Sequence, residues 1–377
     1  MMTESGYLKT DEMLINMGPQ HPSTHGVLRL IIRTDGEVVR AATPFIGYLH
    51  RCKEKYGEAL TYPQYIPYTD RMDYLAAMSN NFAFCWAVEK LGGIASTERA
   101  EYIRVAVNEL QRIASHLVAF GTYGLDLGAF TPFVYAFRER ERILDIFERI
   151  CGARLTCSYG RIGGVMRDMD DTAIAMTRSF IDDFDSKWDD YNALLSNNAI
   201  FVKRTANVGV MTAEQAVAWG CTGPMLRGSG AAYDIRKAEP YSIYDRFEFD
   251  VPTGRGLMGT VGDCWDRYWV RMVEMKQSSR IIRQALDQMP QGLFRNPKVS
   301  RIIKPPYGEV YFRAENPRGE LAFYIVSTGD KKPYRLRVRG PSFCNLSVMN
   351  EISKDSLIAD IVAIVGSIDI VLGEVDR

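Results

Sequence analysis

The stretch Ser96–Phe120, STERAEYIRVAVNELQRIASHLVAF, places apolar side chains at Ile103, Val107, Leu110, Ala114 and Leu117. They recur at three- and four-residue steps, which predicts an amphipathic helix with one face on a core. Thr97 stands where its N-cap belongs. A second helical run covers Phe133–Ile150, and its Arg138-Glu139-Arg140-Glu141-Arg142 alternates in sign, as on a solvated or salt-bridged face. Further helices are predicted over about Asp171–Leu195, after the capping box Thr212-Ala213-Glu214-Gln215, over Asp263–Met289, and over about Lys354–Val365. Toward both ends the pattern changes to strands. Val27–Ile32, a Thr34-Asp35-Gly36 turn and Val38-Val39 read as a hairpin, and Leu321–Val326 with Tyr334–Val338 as a second small sheet. Strands, then helices, then strands, with no repeat of fixed period, predict an α+β protein around one continuous core.

The 377 residues include 46 basic and 46 acidic side chains. This balance lacks the basic surplus of a nucleic-acid binder, so no nucleic-acid partner is expected. The most apolar run, Ile358–Leu372, is broken by Asp360, Gly366, Ser367 and Asp369, so no membrane span is expected either. Met1–Asp11 has neither the basic flank nor the apolar core of a secretory signal, which points to a reducing compartment. The 7 cysteines are scattered without a C-x-x-C, as buried free thiols rather than disulfides or a thiolate metal site.

Three places concentrate chemistry. Gly18-Pro19-Gln20-His21-Pro22-Ser23-Thr24-His25-Gly26 holds two of the 4 histidines in a loop stiffened by proline. No helix can present both rings there, which disfavours a zinc pair. Two readings stand: a polar turn with structural hydrogen bonds, or a loop that holds a proton donor near neutrality. In Pro67-Tyr68-Thr69-Asp70-Arg71-Met72-Asp73-Tyr74, acids, an arginine and phenols crowd ahead of an apolar helix. Asp70 could simply cap that helix and pair with Arg71, and Tyr74 could be packing. The third, Asp126 in the apolar Gly124-Leu125-Asp126-Leu127-Gly128-Ala129, reads as a turn residue or as a buried acid needing a histidine or backbone donors as partner.

At these same segments the sequence resembles the D subunit of respiratory complex I, over about Asn16 to Arg377. The resemblance lies in Gly18–Pro22 with His25–Arg29, Gly47-Tyr48-Leu49-His50-Arg51, Asp70–Tyr74, Met225–Gly230 and the terminal Gly373-Glu374-Val375-Asp376-Arg377. The family is related to the large subunit of nickel–iron hydrogenases, which holds its metal with two cysteine pairs. Here the corresponding slots carry Asp73, Ala76, Val371 and Glu374. A soft nickel–iron centre needs thiolate sulfur, so no metal is expected on this chain and the vacated space becomes available to quinone.

The resemblance implies a nickel–iron hydrogenase-like fold: a β lobe from the N- and C-terminal segments on a central helical bundle. The corresponding boundaries are residues 1–52, 53–290 and 291–377, the last completing the β lobe. It implies that quinone is reduced between this chain and an iron–sulfur partner of the B type, which supplies the terminal cluster. Other partners would resemble the C and I subunits of the peripheral arm and the H subunit of the membrane arm. By the same resemblance, Tyr74 and His25 bond the two quinone carbonyls, His21 lies in the quinone site, Asp126 pairs with His25, and Arg51 and Arg71 flank the cluster. A phenol and an imidazolium suit the two protons that quinone reduction consumes. Where many members carry a histidine near the cluster, this chain has Thr156. The expected result is a lower, less pH-dependent cluster potential, suited to menaquinone. The expected place is peripheral, on the cytoplasmic side of the cell membrane, with NADH, ferredoxin or a reduced deazaflavin as the ultimate donor. Two rival readings are the catalytic chain of an energy-converting hydrogenase, against which the missing cysteines speak, and a scaffold without catalytic residues.

Overall fold

The computed structural model describes residues 12–377; Met1–Asp11, read above for a targeting signal, lies outside them. The chain opens with three antiparallel strands in sequential order, β1 (Glu12–Met17), β2 (Arg29–Asp35) and β3 (Val38–Phe45). The hairpin joins β2 to β3 as expected, with Gly36 in the left-handed region at the turn. β1 is an edge strand that no sequence pattern announced. Its Met13 and Leu14 are exposed, so it lacks the alternation that marks a strand half-buried on a core.

The helical centre begins with α1 (Lys53–Ala59), α2 (Tyr62–Thr69) and α3 (Ala77–Gly92), followed by α4 (Glu98–Asp126), α5 (Phe130–Cys151) and α6 (Asp171–Ser186). The helix expected to run to Leu195 stops at Lys187, and a short helical turn and a π-turn over Asn192–Ser196 complete it. After shorter helices comes α7 (Cys264–Gln288), capped by Asp263, whose Oδ1 accepts from the Asp266 N–H at 2.8 Å. Thr97 does precede α4, but its hydroxyl donates to the Leu293 carbonyl at 2.5 Å instead of capping.

α4 is not the one-sided helix its spacing suggested. Ile103, Val107, Leu110, Ala114 and Leu117 are buried, yet so are Arg104, Glu109, Arg112 and His116 on its other faces. Arg112 pairs within the helix with Glu109 at 3.1 Å, and the other three meet groups on other elements. Arg104 meets Glu89 at 2.6 Å, Glu109 meets Arg236 at 3.0 Å, and His116 meets Glu274 on α7 at 2.9 Å. Glu274 also takes Arg227 at 2.7 Å. Burial alone would raise Glu274, but Arg227 and the His116 hydrogen bond hold it well below the usual carboxylate range. Glu274→Ala would strip the buried Arg227 of one of its two close carboxylates, Glu315 at 2.9 Å remaining, and the buried His116 of its partner, and should cost about 3 kcal/mol. Thermal melting of the purified assembly, or its loss on expression, reads this cost.

The C-terminal part carries another three-stranded antiparallel sheet, β4 (Tyr307–Asn316), β5 (Gly319–Thr328) and β6 (Arg335–Arg339). Here the structure departs from the expected joint β lobe. This sheet shares the main core with the helices, Phe84 of α3 meeting Phe323 edge-on at 5.4 Å. No strand ladder links the two sheets among the described residues. What the C-terminal segment brings to the N-terminal sheet is helical packing plus a bridge at Val38 and Leu357, with Val39 N–H donating to the Ser356 carbonyl at 2.8 Å. Leu28, Leu30, Ile32 and Val39 share a core with Val348, Ile352, Ile361 and Ile364. The last long helix, α8, spans Ile358–Ile368 rather than starting at Lys354, because the Asp360 carboxylate accepts from Leu357 N–H at its first turn. A short α9 (Leu372–Val375) follows. No helix among the described residues is long and apolar enough to cross a membrane.

Candidate functional site

The chain's last nine residues gather the segments singled out by sequence. Asp376 accepts hydrogen bonds from the N–H groups of Gly47 at 2.8 Å and Leu49 at 2.6 Å, and its carbonyl takes His50 Nδ1 at 2.7 Å. The Arg377 carbonyl accepts from Arg51 N–H at 3.3 Å. Gly373 lies so close to Met72 that a Cβ there would sit 2.5 Å from the Met72 carbonyl oxygen. Leu372 packs under Gly26, the neighbour of His25. The His25 loop and the Tyr74 turn thus rest on one terminal segment.

His25 Nε2 lies 2.6 Å from Asp126 Oδ2, across 101 residues of sequence. An ionised carboxylate only accepts, so the ring donates from Nε2 and its Nδ1 is left for another partner. Asp126 is the final residue of α4 rather than part of a loop. The glycines before it do not break the helix; they allow close approach, a Cβ on Gly121 falling 3.0 Å from Phe133 Cα on α5. His25 itself is left-handed at φ 52° and closes a short turn that Pro22 opens. His21 serves that turn: it is exposed, and its Nδ1 accepts from Ser23 N–H at 3.2 Å. This is the structural hydrogen bond weighed above, and it does not join His21 to Asp126 or Tyr74.

Tyr74 is half-buried, and its hydroxyl has no hydrogen bond among the described residues. Burial raises its pKa, Arg318 and Arg51 pull it down, and Asp73 pushes it up. Asp70 does not pair closely with Arg71, the two standing 3.9 Å apart. It is buried against Asn81, and burial pushes it up to about 7. Arg71 is exposed and donates to the Pro67 carbonyl at 2.6 Å, while Arg51 is half-buried and reaches the Arg71 carbonyl. Lys53 completes a positive cluster: burial, then Arg51 and Arg71, push it down to about 8.

The slots compared above with metal ligands do not frame an open cavity. Asp73, Ala76, Val371 and Glu374 are all buried, and the Arg318 guanidinium is packed against Asp73. It meets Asp73 Oδ2 at 2.7 Å and Asp369 Oδ1 at 3.2 Å. Burial, then Asp73, push Glu374 up to about 7. Arg318 was missed by sequence reasoning, since it is a lone arginine in a hairpin turn. The seven cysteines form no disulfide; Cys85, Cys157, Cys221 and Cys264 are buried as expected, whereas Cys52 is exposed.

Residues 126–304 and 293–377 match the family described as respiratory-chain NADH dehydrogenase, 49 kDa subunit. The chain belongs to this family. Similarity extends over nearly its whole length to the D subunit of the NADH-quinone oxidoreductase of Desulforamulus reducens, 53% identical over 98% of this chain and 99% of that one. The D subunit of the Bacillus anthracis enzyme is 52% identical over 98% of this chain and 100% of its own. The D 2 subunit of the Symbiobacterium thermophilum enzyme is 53% identical over 98% of this chain and 99% of its own. These family members are subunits of an oxidoreductase complex, and family membership assigns the chain to that class of assembly.

Proposed function

We propose that this chain forms, with an iron–sulfur partner, the chamber in which quinone is reduced to quinol in a proton-pumping respiratory complex. The observation that carries the reading is the His25–Asp126 pair on the same terminal segment that supports Tyr74, whose hydroxyl bonds no other described residue. In this reading Tyr74 and His25 face the two quinone oxygens, Asp126 holds the His25 tautomer, and His21 braces the loop. To donate from Nδ1 while Nε2 bonds Asp126, His25 must carry a proton on each ring nitrogen. Arg51, Arg71 and Lys53 present positive charge to the partner's cluster, which favours its reduced state. The hydrogenase-like frame, partners of the B, C, I and H types and a peripheral place on the cytoplasmic side of the membrane belong to the same proposal. A tag on this chain should recover, from solubilised membranes, an assembly with iron–sulfur clusters and inhibitor-sensitive quinone reduction. Recovery of an assembly containing nickel and evolving hydrogen would overturn it.

The Thr156 segment bears on the quinone. Thr156 is half-buried and offers no titrating group where many relatives would place an imidazole. A redox titration of the partner's cluster should therefore give a potential nearly flat between pH 6 and 8, against roughly 59 mV per pH unit for a one-proton, one-electron couple. A flat, low potential suits menaquinone as acceptor; a steep one would contradict this part of the proposal.

A further inference from the structure

Arg318 sits in the two-residue turn between β4 and β5, where a surface side chain is the norm, yet its guanidinium is buried. Each of its nitrogens is engaged. Nη1 donates to Asp73 Oδ2 at 2.7 Å and to Ser115 Oγ of α4 at 2.9 Å, Nη2 to Asp369 Oδ1 at 3.2 Å, and Nε to the Asp369 carbonyl at 2.9 Å. Its backbone carbonyl is fixed by Asn345 Nδ2 at 3.0 Å. Asp73 precedes Tyr74, and its Oδ1 accepts from Leu75 N–H at 3.1 Å, so this carboxylate shapes the turn that carries the phenol. Asp369 ends α8 in a left-handed conformation and begins the segment whose Leu372 lies under Gly26. One guanidinium therefore ties together the Tyr74 turn, α4 and the support of the His25 loop.

We propose that Arg318 is a positioning residue of the quinone site, locking the Asp73–Tyr74 turn to the Asp369–Leu372 segment and keeping a positive charge beside the Tyr74 phenol. The proposal rests on Tyr74 meeting the quinone. During reduction the Tyr74 O–H bond breaks and an O–H bond forms on the quinone oxygen, while the electrons come from the partner's iron–sulfur carrier. The phenolate left behind is the species that a nearby guanidinium stabilises, whereas neutral quinone gains little from it. Arg318 thus acts mainly on turnover. The planar fork matters as well, since only a guanidinium reaches two carboxylates and a hydroxyl at once.

The charged groups around this phenol are few. Arg318 and Arg51 lower its pKa and Asp73 raises it, while Asp369 and Glu374 face Arg318, and Arg271 stands 3.6 Å from Asp369. Opposite signs follow for two substitutions in the purified assembly. Arg318→Gln should move the alkaline limit of the kcat profile up, and Asp73→Asn should move it down. Arg318→Gln should also cut kcat by roughly tenfold or more, with the KM for a short-chain quinone nearly unchanged, as expected for an interaction made only along the reaction path.

The decisive measurement is a double-mutant cycle with Tyr74→Phe, with rates normalised to cluster content. If Arg318 acts through the phenol, Tyr74→Phe/Arg318→Gln is no slower than Tyr74→Phe alone. Multiplying effects, or an unmoved pH limit in Arg318→Gln, overturn the proposal, because a merely structural arginine would behave so. Should Arg318→Gln fail to assemble, the cycle with the isosteric Asp73→Asn is read by the same criteria. If Tyr74→Phe alone leaves turnover unchanged, the quinone role of Tyr74 fails first. If Tyr74→Phe is slow and the cycle is additive, only Arg318 is misplaced.

Discussion

Tyr74→Phe should slow quinone reduction by the assembled complex about a hundredfold, the lower end of what a positioned proton donor contributes. Assembly and cluster content should be unchanged, because the hydroxyl bonds no other described residue and the ring keeps its place in the half-buried turn. Removing an unpartnered hydroxyl leaves no orphaned donor or acceptor, so the change is close to silent for folding. The variant therefore separates chemistry from architecture. Inhibitor-sensitive quinone reduction, measured per cluster with the native donor, gives the answer. Unchanged kinetics would remove Tyr74 from the reaction and favour the scaffold reading.

Asp126→Asn should cost between about tenfold and a hundredfold in the same assay. The amide keeps the shape of the carboxylate and can still accept from His25 Nε2, so the loop should hold its position. What it loses is the charge-assisted hydrogen bond to the doubly protonated ring, the form in which Nδ1 donates while Nε2 remains bonded at 2.6 Å to Asp126. His25→Gln should be similarly slow, and the double variant barely slower than either single one, since the pair acts as a unit. Multiplying effects in the double variant would show that Asp126 does not act through His25.

The parts of this structure legible in sequence are those that local periodicity encodes. The β2–β3 hairpin and the long helices α4, α5 and α7 lie where the spacing put them. The failures share a physical cause: their explanation lies in distant residues. Arg104, Glu109 and His116 look like a solvated face until Glu89, Arg236 and Glu274 arrive from elsewhere to neutralise them. Gly124 and Gly128 made Asp126 look like a loop residue. α4 nevertheless runs through Gly124, because a Cβ there would stand 3.3 Å from the Ala129 carbonyl and from Leu195. The separate C-terminal sheet was visible as strands, but nothing local says that it packs on α3 rather than beside β3. In the candidate site, His25, Asp126 and Tyr74 came from the resemblance, and the structure adds the His25–Asp126 contact and the shared terminal support. Arg318 escaped both, since a single arginine in a turn carries no pattern.

The central claim is that quinone is reduced against Tyr74 and His25, and a structure of the assembled complex with a quinone or head-group inhibitor bound tests it most directly. The account predicts one head-group oxygen within about 3 Å of the Tyr74 hydroxyl and the other within about 3 Å of His25 Nδ1, with the His25–Asp126 contact intact. A head group lodged away from both residues, with Tyr74 and His25 Nδ1 bonded to protein instead, would contradict it.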